Sequence, residues 1–178
     1  MFNNSMYSQS KVVEYLRTNS SSLIEKQLIR QKEEELAMHN KFMDFSSNTM
    51  ANLTSNFLLD FNKDGLIKEL RYFFNISTIR GIVVYDGLIN QVFLTLSKDK
   101  NKIQIDVNIE NYTKTYQFIK KELFYEGEKI GYIVVYYDDA NIKNKIKKME
   151  KELFLKLKEH DSSIETIIEN RSKEFIFT

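Results

Sequence analysis

The sequence predicts an α+β fold, with a five-stranded antiparallel sheet set between a long N-terminal helix and a long C-terminal helix. Three observations carry this. Apolar residues recur every three or four positions near both ends of the 178-residue chain, but alternate every two across the middle. There is no proline, so the commonest helix stop is missing. Turn signals containing glycine, Asp86-Gly87 and Glu126-Gly127, fall beside the alternating runs.

The first element is a helix over about residues 10–59. Leu16, Leu23, Ile24, Leu28, Met38, Phe42, Phe45, Leu53 and Phe57 fall at mixed spacings of three, four and seven. Its middle, EKQLIRQKEEELAMHNKF, combines strong helix formers with a weak apolar seam, the composition of a solvated stalk. Unbroken, it would be about 75 Å long at about 1.5 Å per residue, too long to lie wholly on a compact core. A short helix follows within DGLIKELRYFFN, over residues 66–74.

Five strands come next. STIRGIVVYDG is a strand ending in the Asp-Gly turn, and NQVFLTLSKD places Val92, Leu94 and Leu96 on one face. NKIQIDVNIE alternates throughout, with Ile103, Ile105, Val107 and Ile109 facing one way. KTYQFIKKELFYEG and EKIGYIVVYYD form a hairpin about Glu126-Gly127. The short helix covers one sheet face, as a layered α+β unit requires. The C-terminal segment then returns to helical spacing at Ile142, Ile146, Met149, Leu153, Leu157, His160, Ile164, Ile168, Arg171 and Phe175. This near-heptad seam exceeds four heptads and reads as a coiled coil rather than a helix lying on the domain. The expected division is a stalk helix at 1–59, a head at 60–140 and a second stalk helix at 141–178, all within one structural domain.

Charge is balanced, 26 Lys+Arg against 25 Asp+Glu, so no strong field points to nucleic acid or an anionic surface. The absence of cysteine excludes disulfides, thiolate metal sites and cysteine nucleophiles. The five glycines form neither a phosphate-binding loop nor a G-x-S-x-G elbow. His39 and His160 each stand alone in a helical stretch, without ligand spacing. Asp138 and Asp139 are adjacent strand residues on opposite faces, better suited to capping the next helix than to acid–base work. The chain is expected not to be an enzyme and to need no cofactor. Its longest apolar run, residues 131–137, is far short of the roughly 20 residues of a membrane span.

The order of elements, with IRGIVVYD at Ile79 to Asp86 and FYEGEKIGYIVVYYD with its Gly127 and Gly131, resembles the Cache sensor domains, extracytoplasmic relatives of PAS domains. The resemblance covers about residues 57–139. It implies a ligand-sensing head between two transmembrane helices, as in bacterial histidine kinases, chemoreceptors and diguanylate cyclases. It also implies a periplasmic location in an inner-membrane protein. SKEFIFT, which turns apolar at the end of the chain, would fit the start of a second span. The expected working form is a homodimer whose helices form a stalk, with a small molecule or periplasmic protein as signal. Two alternatives are a coiled-coil interaction module that senses no small molecule and a cytosolic PAS-like regulator.

Cache and PAS domains usually wall their pocket with helices or long loops between the second and third strands; here only SKDKN stands there. A pocket, if built, is expected on the sheet face opposite the short helix. Its candidate lining is Arg80, Phe93, Tyr116, Phe118 and Tyr132, with Arg80 as partner for a carboxylate. The competing reading makes the aromatics core and Arg80 a solvated strand residue. DFNKDGLIKELR also matches an EF-hand loop at Asp60, Asn62, Asp64 and Gly65, but its twelfth position is Arg71 instead of the bidentate glutamate. No metal is therefore expected. The competing reading there is a helix break, with Asp64 as the cap.

Overall fold

A computed structural model describes residues 2–100 and 102–174. The chain forms two compact units, residues 37–142 and a helical pair of residues 1–36 with 143–178. The expected apolar continuation at 175–178 lies outside the described residues, as do the side chains of Ile168 and Arg171 in the C-terminal seam.

Helix α1 (Phe2–Leu59) contains neither proline nor glycine and runs unbroken. It ends where Phe61 takes φ +49°, and Asn62 starts α2 (Lys63–Phe73). Asn62 is the cap, not Asp64: its Oδ1 accepts from Gly65 N at 2.9 Å, meeting one of the helix's unpaired donors. The strands are β1 (Ile79–Asp86), β2 (Gln91–Asp99), β3 (Lys102–Ile105), β4 (Gln117–Tyr125) and β5 (Glu128–Tyr137). A short helix, α3 (Tyr112–Thr115), precedes β4, and α4 (Ala140–Glu174) follows β5. The five strands make one antiparallel sheet in the order β3-β2-β1-β5-β4.

One face of the sheet carries the main core. Ile82, Val84, Leu94, Leu96, Ile133 and Val135 are buried there against Leu66, Leu70 and Phe74 from α2 and its end. Met43, Met50, Ala51 and Leu58 of α1 belong to the same cluster. The last part of α1, from Ala37, is thus part of the head's compact unit, which the sequence started at residue 60. Between those apolar positions lie buried Ser47, Thr54 and Ser55. Their hydroxyls donate to carbonyls of their own helix, Thr54 to Met50 O at 2.6 Å and Ser55 to Ala51 O at 3.1 Å. A small hydroxyl that satisfies itself this way can be buried without a partner from the sheet.

Two local expectations differ from the structure. The β1–β2 link spans residues 87–90, and Asp86, itself buried, accepts from Leu88 N at 2.8 Å, so the aspartate's side chain shapes the turn. Gly87 instead donates to Ile130 O at 2.8 Å and prolongs the pairing with β5. β3 stops at Ile105 because Asp106 turns to φ +55°, where Lys63 Nζ holds its carboxylate at 2.8 Å. The alternation at Val107 and Ile109 therefore marks a segment crossing the second sheet face, not a strand. The Glu126-Gly127 turn is as expected, with positive φ at both residues (48° and 86°), the geometry of a two-residue hairpin.

In the helical pair, α1 and α4 run antiparallel. Arg17 pairs with Asp161 (2.9 Å) and Glu165 (3.2 Å), Lys32 with Glu150 (2.5 Å), and Lys145 with Glu35 (2.6 Å). Ile146, Met149, Leu153, Leu157, His160 and Ile164, the seam read from the sequence, are partly buried here, as is Asp161. Among the described residues no helix is long and apolar enough to cross a membrane.

Candidate functional site

The second face of the sheet holds a smaller cluster of different chemistry. Side chains alternate across a strand, so the residues between the core positions of β1 and β5 come here. Val83, Val134 and Tyr136 are its buried centre, and Tyr85, Ile109, Tyr112, Tyr116 and Tyr132 pack around them. Tyr85 and Tyr132 face each other across the β1–β5 ladder and stack at 4.3 Å with rings 17° apart. Tyr112 meets Tyr116 edge-on at 5.1 Å and Tyr136 at 5.7 Å. Gly81 makes room for this, since a Cβ there would lie 2.8 Å from the Tyr112 ring. Phe118 packs against Tyr136 at 6.1 Å, and Lys120 Nζ sits 3.9 Å over the Tyr132 ring. That cation–π contact is worth about 0.5–1 kcal/mol at an exposed position.

Of the five residues expected to line a pocket, three meet on this face: Tyr116, Phe118 and Tyr132. Phe93 packs against the main core instead. Arg80 donates through Nη2 to Asp138 Oδ2 at 3.2 Å, so the chain itself supplies the carboxylate. Tyr85, Tyr112, Tyr136 and Lys120 were not read from the sequence as members. The signal for Tyr85 and Tyr136 was available, because both share strand parity with Val83 and Val134.

No family model matches the sequence, and neither does any curated protein. What the face can do must come from its own chemistry.

Burial pushes the phenols of Tyr85 and Tyr136 above the ordinary value of about 10, and neighbouring tyrosines, Tyr132 for both, push the same way. Tyr137 moves in the same direction through burial and then the charge of Asp139. A folded pKa above the unfolded one means that the associated stability is whole below about pH 10 and is lost as pH rises through the folded values. The urea midpoint should therefore fall between pH 9 and 11.5, together with a late tyrosinate rise at 295 nm. A midpoint independent of pH over that range would contradict the packing of this face.

Two open depressions lie elsewhere among the described residues. One, of about 480 Å³, opens between α2 and β3 and is lined by Asp64, Ile67, Lys68, Arg71, Tyr72 and Ile105. The other, about 690 Å³, lies along α4 in the helical pair, beside Lys147, Lys151, Phe154 and Leu155. Asn62 caps α2 with the oxygen a cation would need, and Asp64 lies within that helix's first turn. Among the described residues, no three of His, Cys, Asp or Glu cluster as a metal site. His39 lies 5.9 Å from the Tyr137 ring, its Nε2 buried without a hydrogen-bond partner among the described residues.

Proposed function

We propose that the chain is the extracytoplasmic signal-sensing part of a bacterial transmembrane signal-transduction receptor, acting as a homodimer and passing the state of its sheet to its helices. The observation that carries this reading is the junction after β5. Asp138 N donates to Thr78 O (2.8 Å), Asp138 Oδ1 accepts from Ala140 N (2.8 Å), and Asp138 Oδ2 accepts from Arg80. Only Asp138 and Asp139 separate a central strand from α4. A shift of β5 along β1 therefore reaches the root of α4 with no slack segment to absorb it. The relay requires a signal that binds one sheet arrangement better than another. The antiparallel pairing of α1 with α4 supports the same reading, because both helices of the pair then lead toward one end, as a two-span anchor needs.

One observation favours the alternative, a head that binds a protein and senses no small molecule: the tyrosine face is filled by its own rings, and Arg80 already has Asp138. Thermal denaturation of the purified chain with small carboxylates, amino acids, amines, and calcium against a chelator separates the two. A ligand at a hundred times its Kd adds about 2.7 kcal/mol, a rise in Tm of about 5–10 °C for a chain this size. A saturable rise with one class supports the small-molecule receptor. A flat screen on well-folded protein supports the protein-binding head.

A further inference from the structure

β4 is the last strand of the sheet, paired among the described residues with β5 alone. An edge strand nine residues long presents a row of unpaired N–H and C=O groups, a template for another strand. The irregularity in its pairing does not blunt it. Leu123 faces Gly131 and Phe124 faces Lys129, so the extra residue, Ile130, belongs to β5 and β4 keeps its alternation. Ile119 and Leu123 turn toward the main core. Phe118, Lys120, Glu122 and Phe124 lie on the tyrosine face, where the two phenylalanines are 54% and 52% exposed.

The sequence of this edge, QFIKKELFY, is chemically self-complementary about its centre. We propose that a second copy of the chain pairs its β4 antiparallel to this one across a two-fold axis at Lys121, joining two five-stranded sheets into one. Phe118 then faces Phe124 of the second copy, Ile119 faces Leu123, and Lys120 faces Glu122, each pair occurring twice, as an isologous contact demands. Lys121, on the axis, meets Lys121 of the second copy, and each copy's Asp44 already forms an ion pair with it. Glu122 can serve a second cation: its Oε1 accepts from Lys129, and its Oε2 takes no hydrogen bond among the described residues.

No neighbouring register does as well. Opposed residues in an antiparallel pair share a face, so the axis must pass through a residue. Moving it to Lys120 sets Phe118 against Glu122 and Ile119 against Lys121. Moving it to Glu122 sets Lys120 against Phe124 and Lys121 against Leu123. Only the axis at Lys121 matches charge with charge and apolar with apolar. The pairing does not depend on what the head senses, so a flat ligand screen leaves it standing.

Sedimentation velocity of the full chain over a range of concentrations tests it. The unaltered protein should dimerise. Lys120→Glu sets two pairs of carboxylates face to face and Glu122→Lys two pairs of ammonium groups, so each should weaken the dimer about tenfold. The double reversal restores opposite charges and should return the constant to within about threefold of the original. Both positions are exposed, and a single cooperative unfolding transition at low concentration would confirm that each variant folds. A monomer at every concentration overturns the proposal. So does a dimer that ignores the single reversals, or one that the double reversal leaves weakened.

Discussion

Replacing Gly131 with alanine is expected to destabilise the head by about 3 kcal/mol or more, the upper end of what overpacking costs. For a chain of this size that is a loss of about 10 °C in Tm. Gly131 sits in β5 between two neighbours, opposite Asp86 of β1 and Leu123 of β4. A Cβ on it would lie 2.1 Å from Tyr85 O, 3.2 Å from Gly87 N and 3.3 Å from a Leu58 methyl. The first of these is main chain held by the sheet and cannot step aside as a side-chain end would. Relief requires β1 and β5 to separate, which weakens ladder bonds at the centre of the sheet. Gly127 provides the control. Nothing lies within 4 Å of its Cβ position, and its φ of +86° is the only obstacle, so Gly127→Ala should cost about 1–2 kcal/mol. Equilibrium urea unfolding measures both. A Gly131→Ala loss no larger than that of Gly127→Ala would mean the two strands are not this close.

The second large effect concerns α1. Met50 is 0% exposed and Phe45, five residues before it, is 71% exposed. Met50→Lys should cost about 4 kcal/mol or more, because an ammonium group in the main core has neither water nor a partner. Phe45→Lys should change stability by no more than about 0.5 kcal/mol. That loss at Met50 is a large share of the 5–15 kcal/mol a domain commonly holds, so far-UV and near-UV circular dichroism of the head should collapse together on mild heating. If Met50→Lys were as harmless as Phe45→Lys, this part of α1 would be a stalk, as its composition suggests.

That contrast shows why the sequence was legible in the sheet and less so in the long helix. Strands announce themselves by alternation, as Leu94 and Leu96 do in β2, or by short β-branched runs, as at Ile82 to Val84 and Ile133 to Val135. The buried face of α1 is built from Met43, Ser46, Ser47, Met50, Ala51, Thr54, Ser55 and Leu58, and most of these are small or hydroxylic. The hydroxyls of Ser47, Thr54 and Ser55 are satisfied within the helix, so burial leaves little trace in hydropathy. Of the large apolar residues that did stand out, Met38, Phe42 and Phe45 face away from the core, while Leu53 and Phe57 pack against it. The candidate site was legible only in part, for another reason. Arginine and aromatics were read as ligand-facing groups, yet pairing between β1 and the end of β5 brings Asp138 to Arg80, and the crossing segment at 106–116 brings Tyr112 and Tyr116 onto the rings of the sheet. Such partners depend on long-range register, which local spacing does not encode.

The direction of α1 and α4 in the helical pair has a mechanical consequence. Because Arg17 lies beside Asp161 and Glu165 while Glu35 lies beside Lys145, tension drawing the two helices apart at the Arg17 end acts across the pair, not along it. The load then falls first on the Arg17 contacts, next on Lys32 with Glu150, and last on Glu35 with Lys145. Exposed ion pairs contribute about 0–1 kcal/mol each, so they would yield one at a time at low force, like the teeth of a zip. The same contacts loaded lengthwise would have to break all at once.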